Sequence, residues 1–105
     1  METKILLVDD EERILQTFAR TLRLGGYTVS TAASGSEGLT LYHQEQPDIV
    51  LLDLRMPGMD GLEVLQAIRE DDPEANVILC TAHGDKDAVI EALRAGASDF
   101  LPKPV

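Results

Sequence analysis

Five short apolar runs, each closed by turn-forming or charged residues, alternate along the chain with amphipathic stretches, and this alternation restricts the fold more than any other feature. The runs cover residues 4–8, 27–32, 49–52, 76–81 and 100–101. Such a pattern predicts repeated β-α units around a parallel sheet. The first, third and fourth runs are apolar at successive positions, as expected of central strands covered by helices on both faces. Between the runs, Ile14, Phe18 and Leu22 recur at helical spacing, and Gly25-Gly26 supplies a stop. Ser34 is placed to cap a second helix over 36–44, with Leu39 and Tyr42 inward, until Pro47 breaks the pattern. A third helix is predicted over 61–70, burying Leu62, Leu65 and Ile68. A fourth is predicted over 85–95, with Ala88, Ala92 and the edge of Leu93 inward and Gly96 as its stop.

Right-handed crossovers leave few ways to join these elements. The expected architecture is an α/β doubly wound five-stranded parallel sheet in the flavodoxin-like order 2-1-3-4-5. A length of 105 residues, 44% hydrophobic and 27% charged, fits one globular domain over residues 1–105. Nine basic against nineteen acidic side chains leave a formal charge of −10. That charge disfavours direct contact between this segment and nucleic acid or an anionic membrane. No apolar run approaches the roughly 20 residues needed to span a bilayer, and there is no signal stretch, so the default setting is cytoplasmic. The single cysteine, Cys80, lies within an apolar run and reads as a buried thiol.

In the predicted order, the carboxyl ends of strands one, three and four gather at one edge of the sheet, where open α/β sheets bind ligands. Asp9 and Asp10 follow strand one, Asp53 follows strand three, Thr81 ends strand four and Lys103 follows strand five. Each residue alone is ordinary for a strand end, but their joint placement is not. Three carboxylates in one pocket repel one another unless a cation offsets them, and Mg2+ prefers hard oxygen ligands of this kind. Lys103 adds a compact positive charge on the other side, and Thr81 a neutral hydroxyl. Such a pocket suits phosphoryl transfer to a carboxylate, which consists mostly of positioning and charge neutralisation. Asp53, ending the most buried strand, is the natural nucleophile.

The residues Ile5-Leu6-Leu7-Val8-Asp9-Asp10-Glu11, Pro47-Asp48-Ile49-Val50-Leu51-Leu52-Asp53-Leu54 and Met56-Pro57-Gly58-Met59-Asp60-Gly61 resemble, in order and spacing, the receiver domains of bacterial two-component response regulators. Thr81-Ala82, Gly96-Ala97, Asp99-Phe100 and Pro102-Lys103-Pro104 extend the likeness over nearly the whole chain. The resemblance implies that Asp53 is the phosphoacceptor, loaded from a sensor histidine kinase or a phosphotransfer protein. It further implies that Asp10, Asp53 and the backbone carbonyl of Arg55 bind Mg2+, with Asp9 acting through water and Lys103 pairing with the acyl phosphate.

By the same likeness, Thr81 and Phe100 form a switch, although Phe100 fits plain core packing equally well. Arg55 and His83 flank the path of an attacking water and tune dephosphorylation, although His83 also reads as a solvated loop residue. His43, on the second helix, is expected to face solvent. A covalently linked output domain and a receiver dimer are further expectations. Relatives continue into a fifth helix that this chain lacks, so the chain reads as cut short after strand five. Apolar side chains of strands one, three or five are then expected to be exposed.

Other chemistries fit less well. A phosphoaspartate phosphatase of the haloacid-dehalogenase type needs an acid two residues beyond the nucleophile, where this chain has Arg55. A flavodoxin-like phosphate cradle is incompatible with Asp9-Asp10-Glu11-Glu12, and no P-loop motif occurs. A receiver fold kept for protein contacts alone does not explain Asp10, Asp53, Thr81 and Lys103 together.

Overall fold

The computed structural model describes residues 3–81 and 86–102. In chain order they form β1 (Lys4–Val8), α1 (Glu12–Leu24), β2 (Thr28–Ala32), α2 (Gly35–Glu45), β3 (Ile49–Asp53), α3 (Gly61–Asp71), β4 (Asn76–Thr81), α4 (Lys86–Arg94) and β5 (Asp99–Pro102). The strands make one sheet in the order β2-β1-β3-β4-β5. Every pairing is parallel. The doubly wound order expected from the alternating pattern is therefore the order observed.

Because successive strand residues point to opposite faces, the apolar runs divide between two cores. Leu6, Val8, Val50, Leu52, Val77 and Leu79 join Val64, Leu65 and Ile68 of α3 and Ala92 of α4 on one face. Ile5, Leu7, Leu51 and Cys80 meet Leu15 and Ala19 of α1 on the other. The periodicity in α1 places its stripe one residue early. Ile14, Phe18 and Leu22 are half-buried, whereas Leu15 and Ala19 are fully buried. In α4, Val89 and Ala92 are buried and Ala88 is half-buried, but Leu93 is 39% exposed, which corrects its inward assignment. Asp85, the expected start of that helix, lies outside the described residues.

Local chemistry sets the helix starts. The Ser34 hydroxyl accepts the Glu37 N–H, and the Glu37 carboxylate accepts the Ala33 N–H. Asp60 and Glu63 form a reciprocal capping box at the start of α3. After α2, Gln46 takes a left-handed φ of 47° and Pro47 follows.

The apolar exposure expected on strands one, three or five falls on β5. Ile5, Leu7 and Leu51 are buried beneath α1, while Phe100 and Leu101 are 42% and 38% exposed. Phe100 is thus partly exposed among the described residues.

Candidate functional site

β1, β3 and β4 are adjacent and parallel, so their carboxyl ends fall at one edge. In register, Val8 lies opposite Leu52, and Asp53 lies opposite Cys80, one residue before Thr81. This arrangement brings Asp9, Asp10 and Asp53 together, with one carboxylate oxygen from each within 4.8 Å of the others. Asp9 and Asp53 are 3% and 4% exposed, as is Thr81 at 4%. Asp10 is exposed.

The backbone holds the buried acids in place. The Asp9 carboxylate accepts the Glu11 N–H at 2.9 Å, a bond two residues on that turns the chain out of β1 and into α1. The Asp53 carboxylate receives the Arg55 N–H at 3.4 Å. Neutral N–H donors orient carboxylates but do not cancel their charge. Two buried carboxylates beside a third therefore present a group of hard oxygen donors. That donor set fits a small divalent cation with open positions for water or phosphoryl oxygens.

The segment after β3 lines a cleft of about 510 Å³ between itself and α4, bounded by Arg55, Met56, Pro57, Asp60, Ala88 and Glu91. It is held tightly at its far end. A β-carbon on Gly61 would fall 2.4 Å from the Asp53 carbonyl oxygen and 2.7 Å from the Leu54 Cα. Only glycine lets α3 begin this close to the end of β3. Sequence reasoning places Gly61 in a motif without finding this role; its signal is a glycine at a predicted helix start directly after the capping Asp60.

Lys103 and His83 lie outside the described residues. The Arg55 side chain is exposed and lines the cleft. His43 lies elsewhere, at the carboxyl end of α2. It is exposed as expected but paired with Asp71 of α3. Among the described residues, no helix is long and apolar enough to cross a membrane.

The family described as the response regulator receiver domain matches residues 5–105. The C4-dicarboxylate transport transcriptional regulatory protein DctD of Pseudomonas aeruginosa is 41% identical over 103 residues, covering 98% of this chain and 22% of DctD. The DNA-binding transcriptional regulator NtrC of Salmonella typhimurium is 43% identical over 100 residues, covering 95% of this chain and 21% of NtrC. The chain thus spans about a fifth of the length of these curated relatives. A solved response regulator receiver domain protein from Clostridium thermocellum superposes with a TM-score of 0.94 at 40% identity, covering 98% of this chain and 83% of that one. With the fold, the strand order and nearly the whole length in agreement, the chain belongs to the response regulator receiver domain family of two-component signalling.

Proposed function

We propose that this domain accepts a phosphoryl group on Asp53, with Mg2+ held by Asp10, Asp53 and the backbone carbonyl of Arg55, and with Asp9 acting through water. The observation that carries this reading is the convergence of three carboxylates within 4.8 Å, two of them buried, at the carboxyl edge of a parallel sheet. Mg2+ bound there supplies positive charge to the carboxylates and to the incoming phosphoryl oxygens.

The residues of the chain do the rest. An Asp53 carboxylate oxygen attacks phosphorus as the bond to the donor breaks, and the Arg55 N–H keeps that carboxylate aimed. The phosphoryl group comes from a phosphohistidine of a sensor kinase or phosphotransfer protein. Lys103 pairs with the acyl phosphate. The Thr81 hydroxyl then turns to the phosphoryl oxygens, and Phe100, on the exposed strand β5, reports the change at the surface. Arg55 and His83 tune how long the acyl phosphate lasts against water.

Residues 1–105 serve as the receiver of a longer regulator, passing the signal to a linked output domain or through a receiver dimer. The net charge of −10 argues against nucleic-acid contact by this segment. Its chemistry is confined to its own phosphorylation and dephosphorylation, in a cytoplasmic setting.

The product tests the reading. After incubation with Mg2+ and acetyl phosphate, the added phosphoryl group is expected to be removed by hydroxylamine, as an acyl phosphate must be. A phosphoryl group resistant to hydroxylamine would place it on a hydroxyl and overturn the assignment to Asp53.

A further inference from the structure

Gly35 opens α2 and is buried. Its backbone does not explain the glycine, because the positive-φ glycines are Gly26, Gly58 and Gly96. Space does. A β-carbon on Gly35 would lie 2.5 Å from the Met59 carbonyl oxygen, 2.9 Å from Val64 Cγ2 and 3.1 Å from Met59 Cβ. The first of these is backbone, which cannot rotate away as a side chain can.

Met59 belongs to the segment 54–60 between β3 and α3. That segment is closed at its ends by the Gly61 N–H donating to the Leu54 carbonyl at 3.0 Å and by the Asp60 cap. Arg55, whose carbonyl is the backbone ligand in the reading above, lies between those anchors. On the other side of the contact, α2 has little room to retreat. Ser34 caps its first turn, and Gly38 sits so close to β1 that a β-carbon there would lie 3.0 Å from a Val8 methyl. A group added at position 35 therefore displaces the loop rather than the helix. Mg2+ tolerates little departure from octahedral geometry, so small shifts of a carbonyl ligand weaken binding.

We propose that Gly35 is a positioning residue for the metal site: the bare backbone at the start of α2 seats Met59, and through it the segment 54–60 that presents the Arg55 carbonyl. This rests on the Mg2+ reading above.

Calorimetric titration of the full chain with Mg2+ tests it. Gly35→Ala is expected to weaken Mg2+ binding by about ten-fold, the usual scale for a residue supporting a ligand. Its circular dichroism and cooperative unfolding should be retained, and phosphoryl uptake should recover when Mg2+ is raised. Thr40→Ala, at an exposed position of the same helix, should leave Mg2+ affinity unchanged. A folded Gly35→Ala with unaltered affinity overturns the proposal. If Gly35→Ala does not fold, Met59→Gly decides, since it loosens the same seat without a clash: weakened binding supports the proposal and unchanged binding overturns it. A wild-type chain that binds no Mg2+ overturns the metal reading itself, and the proposal with it.

Discussion

His43 on α2 and Asp71 on α3 form an ion pair that joins the carboxyl ends of the two helices, while the other ring nitrogen of His43 lies 2.8 Å from the Leu39 carbonyl. The Leu39 carbonyl can only accept, so Nδ1 donates to it, and protonation of the ring lets Nε2 donate to Asp71 as well. The hydrogen bond to Asp71, followed by that to the Leu39 carbonyl, raises the His43 pKa above its ordinary 6.5.

A histidine with a raised folded-state pKa contributes stability that is fully present below its unfolded value and is lost as pH rises through the folded value. Both partners are exposed, so the effect is modest. The difference in Tm between wild type and His43→Ala is expected to be largest near about pH 6 and to close at alkaline pH. Thermal unfolding across that range checks this; a difference independent of pH would contradict it.

Gly61→Ala forces a methyl group into the backbone of Asp53 and Leu54. A loss of about 1–3 kcal/mol is expected from urea unfolding, the scale of overpacking at a rigid contact. An unchanged midpoint would mean that α3 can move away from β3 at little cost.

Asp60→Ala removes the carboxylate that accepts the Glu63 N–H, while the backbone N–H of residue 60 can still donate to the Glu63 carboxylate. The expected cost is about 0.5–2 kcal/mol. Ser34→Ala at the simpler cap of α2 should fall in the same range. Comparison of the two by chemical denaturation checks that each cap acts locally.

Asp10 is the exposed member of the acidic cluster. Without metal, Asp10→Asn is expected to raise Tm by relieving repulsion with Asp9 and Asp53. With Mg2+, wild type should gain stability that the variant gains far less, and a chelator should abolish that gain. An equal Mg2+-dependent rise in both proteins would remove Asp10 from the metal site.

The sheet and the acidic cluster at its carboxyl edge were legible in the sequence for one physical reason. Parallel strands carry their carboxyl ends to the same side, so acids following the runs at 4–8 and 49–52 had to meet once the order was known. Ser34 was readable as a cap because capping is local. Burial around a helix was less legible. An apolar stripe is wide enough that Ile14, Phe18 and Leu22 predict a face whose centre is Leu15 and Ala19. Leu93 shows the limit, since an apolar residue at the edge of a helix face can stay exposed. The pairing of His43 with Asp71 and the backbone approaches at Gly35 and Gly61 were not legible. They depend on how two elements are rotated and spaced against each other, which neither segment encodes alone.

The most direct test of the central claim is the intact mass of the chain after incubation with acetyl phosphate and Mg2+, beside Asp53→Asn and a chelated sample. The account predicts the gain of one phosphoryl group by wild type with Mg2+, and none by Asp53→Asn or without the metal. Phosphoryl uptake by folded Asp53→Asn, or uptake by wild type that is indifferent to Mg2+, would contradict it.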